Sequence, residues 1–149
     1  MKKIFGMLLM CFMVLCSCSE KPFDLENSKQ KVLDMGYNVL NECKTDSEIE
    51  EIEKSILSTM KFDGYETEGL DLGVTYYVRY AIYIKDDFNS IYEAVYFITF
   101  DTVDSAQFLY NYFVESRDEG SKWRIRIIDN IIVQSNNKDV MKAIGGSFK

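Results

Sequence analysis

The segment from Val74 to Lys85, VTYYVRYAIYIK, decides how the chain folds. Within it Val78, Tyr80, Ile82 and Ile84 alternate with Tyr77, Arg79, Ala81 and Tyr83. A period of two in β-branched and aromatic residues marks a strand with one strongly apolar face. After Asp86-Asp87-Phe88-Asn89-Ser90 comes IYEAVYFITF, Ile91 to Phe100, with the same character, so the two segments predict an antiparallel hairpin. A connection that sets an even-sum register places Val78 near Ile98, Tyr80 near Tyr96 and Ile82 near Ala94, keeping the most apolar positions together.

If that apolar row faces the helices, the opposite face carries Tyr77, Arg79, Tyr83, Val95 and Phe97. This is too apolar for a sheet face meant only for water. Further along, Arg124 and Arg126 alternate with Trp123, Ile125 and Ile127, and they add two cations to that face if the aromatic side points inward. The candidate binding face is therefore Tyr77, Arg79, Tyr83, Phe97, Arg124 and Arg126. Mixed arginine and aromatic side chains suit a partner interface or an acidic ligand. The competing expectation is that a helix, or the loop from Asp63 to Gly73, covers it.

Working outward, TDSEIEEIEKSILSTMKF predicts the clearest helix. Thr45 and Glu48 have capping-box spacing, and Ile49, Ile52, Ile56 and Met60 recur at helical intervals. DLENSKQKVLDMG predicts an earlier helix with Asp24 as N-cap and Gly36 ending it, and YNVLNEC a short strand. Asp101 or Thr102 caps TVDSAQFLYNYFVES, in which Ala106, Leu109 and Phe113 form a core-facing stripe. KWRIRII, the Asp129-Asn130 turn and IIVQ predict a final hairpin, and Asn136 to Ile144 a last short helix. The expected class is α+β: a single antiparallel sheet of four to five strands, with helices packed mainly on one face, ferredoxin-like in general character.

The amino terminus has a different character. Lys2 and Lys3 precede an apolar run from Ile4 to Leu15, which is too short to span a bilayer as a helix and falls in the range of a signal peptide. Leu15-Cys16-Ser17-Cys18 then resembles the bacterial lipobox, an aliphatic residue three places before a cysteine with small residues between. The resemblance covers Met1 to about Pro22. It implies a diacylglyceryl thioether on Cys18, cleavage just before it, and a protein anchored by lipid to a bacterial membrane on its extracytoplasmic side. The expected organisation is a signal peptide over 1–17, lipidated cysteine and tether over 18–23, one α+β domain over 24–145 and a flexible end over 146–149.

Composition narrows the function classes. At 149 residues, 47% hydrophobic and 14% aromatic, the chain suits one domain with a real core. Without the first 17 residues it carries 15 basic and 24 acidic side chains, a formal charge of −9 that repels nucleic acid and anionic headgroups. The expected partners are the membrane, through the lipid on Cys18, and an envelope protein, peptide or small-molecule ligand, with no nucleic acid.

Catalytic motifs are absent from the sequence. It has no histidine, no Gly-x-Ser-x-Gly elbow, no phosphate-binding glycine loop and no zinc-ligand spacing. Asp86, Asp87 and Asn89 have oxygen ligands suited to calcium, but their spacing does not match an EF-hand and a hairpin turn explains them. Once the signal peptide is removed, Cys43 is the only thiol besides Cys18. It lacks a histidine to activate it, so it has a structural role. No catalytic residue, metal or cofactor is expected. The chain is expected to bind a partner, peptide or small ligand without catalysis; the alternative is a small carboxylate-dependent envelope hydrolase, a chemistry that two acids can perform unaided.

Overall fold

A computed structural model of the protein describes residues 23–85 and 90–145. The expected signal peptide and lipidation site at Cys18, most of the expected tether, Asp86, Asp87 and Asn89, and the 146–149 end lie outside the described residues.

In chain order the elements are α1 (Leu25–Asp34), β1 (Asn38–Cys43), α2 (Asp46–Phe62), β2 (Val74–Lys85), β3 (Ser90–Phe100), α3 (Val103–Glu115), β4 (Arg124–Ile128), β5 (Ile131–Ser135) and α4 (Lys138–Ala143). Local chemistry starts each helix. The Asp24 carboxylate accepts from Asn27 N–H at 3.0 Å, the Glu48 carboxylate accepts from Thr45 N–H at 3.1 Å, and the Thr102 hydroxyl accepts from Ser105 N–H at 3.0 Å. Each bond satisfies a backbone donor left over at a helix N-terminus, or at the residue that caps it.

The strands form one antiparallel sheet in the order β1-β2-β3-β5-β4. Both β3 and β4 run antiparallel to β5, which lies between them, so β3 and β4 run parallel to one another. The segment β3-α3-β4-β5 is therefore a split β-α-β, the ferredoxin-like feature of the sheet. β1 adds an edge strand beside β2.

The two longer helices share one face of the sheet. Ile49 and Met60 of α2, and Ala106, Leu109 and Tyr112 of α3, pack with Cys43, Ile98 and Ile132. The two shorter helices close the other face, where Val32 of α1 and Val140 and Met141 of α4 pack with Val78, Tyr80, Val95, Phe97 and Val133. Both cores are built from apolar and aromatic side chains, and each fully buried large one contributes roughly 1.5–3 kcal/mol.

The central hairpin corrects one expectation. Its pairs sum to an odd number: Val78 stands opposite Phe97, Tyr80 opposite Val95, Ile82 opposite Glu93 and Lys85 opposite Ser90. Four residues separate Lys85 from Ser90, and an even-length connection forces an odd-sum register. Ile98, Tyr96 and Ala94 therefore lie on the face away from Val78 and Tyr80.

One glycine is required by close packing. Gly73, at φ +64°, enters β2 where a β-carbon would collide with the Asp101 carboxylate. The Gly73 carbonyl accepts from Asp101 N–H at 2.8 Å, which joins the entry of β2 to the exit of β3.

Candidate functional site

The register sorts the sheet into cross-strand rows. On the face that carries α2 and α3, Cys43, Tyr77, Ile98, Ile132 and Ile127 stand side by side on β1, β2, β3, β5 and β4. All five pack into the core under those helices. One step further along the strands the same face turns polar: Asn41, Arg79, Tyr96 and Gln134 follow one another across β1, β2, β3 and β5, with Ile125 beyond them on β4. From Asn41 to Gln134 the row spans three strand spacings, roughly 14 Å.

Beyond that row stand Ala81 and Ala94, then Tyr83 opposite Tyr92. The two alanines make the floor low enough for Arg79 and Tyr92 to meet over it. A guanidinium N–H of Arg79 donates to the Tyr92 hydroxyl, and its central carbon lies 5.4 Å from the Tyr92 ring centroid and 5.3 Å from that of Tyr96. Tyr96 continues to Trp123 at 5.6 Å and to Tyr77 at 6.1 Å, while Tyr83 lies 5.1 Å from Tyr92. The outcome is a guanidinium seated on a continuous aromatic surface.

Arg79 is half-buried, and its Nε–H is buried without an acceptor among the described residues. Among the described residues no carboxylate lies within ion-pair distance of it. A guanidinium stays protonated at any ordinary pH, so this is a permanent positive charge resting on the Tyr92 and Tyr96 rings. Burial pushes the Tyr77 and Tyr96 hydroxyls above their usual range, so both are neutral donors at physiological pH.

The six residues expected to form one face divide into two sets. Tyr77, Arg79 and Tyr83 lie on the α2–α3 face, with Tyr77 half-buried beneath the helices, Arg79 at their margin and Tyr83 70% exposed. Phe97 lies on the opposite face at 0% exposure, packed in the α1–α4 core. Arg126 stands opposite Val133 on that same face and donates to the Gly145 carbonyl after α4, while Arg124 is exposed on the edge strand opposite Ser135. The odd-sum register is the physical reason. It carries Phe97 across the sheet and brings Tyr92 and Tyr96 to Arg79 in its place.

Tyr92, Tyr96, Asn41 and Gln134 are not among the residues expected on this face from the sequence. A signal for two of them exists in the matched spacing of Arg79, Ala81 and Tyr83 with Tyr96, Ala94 and Tyr92, because two alanines opposite one another leave room for their larger neighbours. Asn41 and Gln134 come from other strands, and no local pattern brings them into the row.

Elsewhere the polar groups serve the fold. Cys43 is buried against Asn41, to whose side-chain oxygen its thiol donates at 3.5 Å, and burial together with the nearby Glu48 carboxylate pushes the thiol up. Such a thiol is a poor nucleophile. The Tyr37 hydroxyl donates to Glu93 at 2.6 Å, and the Asn137 amide donates to the same carboxylate at 2.6 Å while its oxygen caps α4. This network ties both shorter helices to β3. Three acids are pulled down, Glu42 by the Tyr76 hydroxyl, Glu48 by the Thr45 backbone and Glu50 by Lys54. That is the direction of a structural ion, opposite to what a general acid needs.

Among the described residues no group of three or more acidic or cysteine side chains is arranged to hold a metal ion, and no helix is long and apolar enough to cross a membrane. Comparison with protein-family models, characterised proteins and solved structures finds no match to this chain.

Proposed function

We propose that the protein is a bacterial lipoprotein, held on the extracytoplasmic side of a membrane by acyl chains on Cys18, whose domain binds an envelope ligand or partner through the Arg79 face without catalysis. The observation that carries the binding reading is the half-buried Arg79 guanidinium, which rests on tyrosines and has no carboxylate beside it among the described residues. Its hydrogen bond to Tyr92 and its two ring contacts orient the guanidinium without neutralising its charge, which leaves that charge for an incoming anion.

The lipobox-like Leu15-Cys16-Ser17-Cys18 supports the anchor, and only a few residues separate Cys18 from the start of α1 at Leu25. Acyl chains contribute about 0.8 kcal/mol per buried CH₂, so two or three of them hold a protein on the bilayer essentially permanently. The domain needs no span of its own. The hydrolase alternative has no support in the downward shifts of Glu42, Glu48 and Glu50.

Two measurements in cells test the two halves. Metabolic labelling with a fatty acid should label the wild type and leave Cys18→Ser unlabelled and unprocessed. If Cys18→Ser were still cut at the same bond and still held on the membrane, the anchor would be something else. A photo-crosslinking amino acid at Tyr83 should give adducts that disappear with Arg79→Gln, whereas the same probe at Phe62, 92% exposed at the end of α2, should not. Adducts indifferent to Arg79 would remove the binding face.

A further inference from the structure

The row Asn41–Arg79–Tyr96–Gln134 and the rings around it have a composition that narrows the ligand. We propose that this row, with Tyr83, Tyr92 and Trp123, is a binding site for an oligosaccharide that carries carboxylate groups. The inference rests on the reading that the Arg79 face binds a ligand, and it names the class.

Three observations lead to it. First, Arg79, Tyr96 and Gln134 have ladder partners on both sides at their own positions, so their strands' backbone donors and acceptors are spent there. A peptide cannot add a strand at the centre of this row, and the usual main-chain route to peptide affinity is closed there. Whatever binds over these three residues is read by side chains.

Second, those side chains are two primary amides, several phenols and an indole laid out along roughly 14 Å. Amides and phenols both donate and accept, which matches hydroxyl groups that do the same. Tyr83 is 70% exposed on this side of the sheet and is continued by the half-buried rings of Tyr92, Tyr96 and Trp123, an aromatic edge against which the apolar faces of sugar rings can lie. A polyhydroxylated chain offers both kinds of surface along its whole length.

Third, the row holds one cation, Arg79, and no other basic residue. A planar guanidinium pairs with a planar carboxylate through two parallel hydrogen bonds. A single positive charge balances a carboxylate, whereas a phosphate monoester at neutral pH carries nearly two negative charges. The protein as a whole is strongly acidic, so an acidic ligand is admitted only where this charge is displayed.

The chain has a single tryptophan, Trp123, which lies against Tyr96, so its fluorescence reports the site directly. The experiment titrates the full 149-residue chain, in polyoxyethylene detergent micelles free of sugar headgroups, with tetragalacturonate, with neutral galactotetraose and with tetraglutamate. Tetragalacturonate should shift Trp123 emission saturably, and galactotetraose should bind much more weakly. Arg79→Gln should weaken tetragalacturonate binding by about tenfold or more, the loss of one charge-assisted hydrogen-bonding pair. Tyr83→Ala, at an exposed position where folding is not at risk, should weaken it several-fold.

Equal binding of the neutral sugar, or binding indifferent to both substitutions, would overturn the proposal. So would absence of tetragalacturonate binding. Preference for tetraglutamate would assign the row to an acidic peptide and overturn the carbohydrate assignment. Adducts from position 83 in cells that depend on Arg79, together with inert saccharides in vitro, would remove the sugar while leaving the binding face standing.

Discussion

The guanidinium of Arg79 lies 5.3 Å from the ring centre of Tyr96, its direct partner on the neighbouring strand, at the place where the cover of α2 and α3 ends. The contact is a cation–π pair at a half-exposed site, a class of interaction that contributes about 0.5–1 kcal/mol. Arg79 also holds a buried Nε–H without an acceptor among the described residues, which costs about 1–3 kcal/mol and offsets this contact, the second one to the Tyr92 ring and the hydrogen bond to its hydroxyl. Arg79→Gln is therefore expected to change stability by less than about 1 kcal/mol, measured as the urea midpoint at constant slope. A loss several times larger would make Arg79 a core residue and not a ligand.

Phe97 is expected to behave in the opposite way. It is fully buried between Val78 and Val133 and meets Tyr80 edge-on at 6.1 Å. Phe97→Ala should cost about 3–5 kcal/mol, the usual range for emptying an aromatic site in a packed core. Equilibrium unfolding decides it. A cost below 1 kcal/mol, on the order of a surface change, would mean that the register found here is wrong.

Cys43 offers a chemical check. In a chain beginning at Ser19 it is the only cysteine, and it is buried with its thiol pushed up by desolvation and by Glu48. A thiol-specific reagent at neutral pH should react slowly with the native protein and quickly in urea. Dithiothreitol should leave the unfolding transition unmoved. Rapid native labelling would place Cys43 at the surface.

Tyrosines govern the alkaline limit of stability. Burial pushes the hydroxyls of Tyr76 and Tyr112 up to about 12, helped by the Glu42 and Asp63 carboxylates that accept from them, and those of Tyr37, Tyr77, Tyr80 and Tyr96 are also raised. Above about pH 10 the unfolded chain loses phenolic protons that the native state keeps, so stability falls as pH rises. This contribution is fully present below about pH 10 and is lost progressively as pH climbs through the raised native values. Urea midpoints should be flat between about pH 8 and 9.5 and drop steeply by about pH 11, with phenolate absorbance appearing together with unfolding. Full phenolate titration before any unfolding would contradict the buried hydrogen-bonded tyrosines.

The elements themselves were legible because their signals are local. Capping side chains at Asp24, Thr45 and Thr102 act on backbone groups two or three residues away, and the alternation in VTYYVRYAIYIK reports its own strand. From these the sequence by itself determined an α+β chain with a central antiparallel hairpin. The proposed lipid anchor rests on a signal of the same local kind, the few adjacent residues Leu15-Cys16-Ser17-Cys18.

Tertiary structure alone decided which residues share a face. In the hairpin both parities carry apolar residues, Val95 and Phe97 on one and Ile98, Tyr96 and Ala94 on the other, because helices cover both sides of the sheet. A strand buried on both faces loses the amphipathic signal that would otherwise specify its register. The parity of the connection between Lys85 and Ser90 then sets the pairing. That one step buries Phe97 and places Tyr96 beside Arg79. The row from Asn41 to Gln134 joins four strands far apart in sequence, and only the packed sheet brings them together.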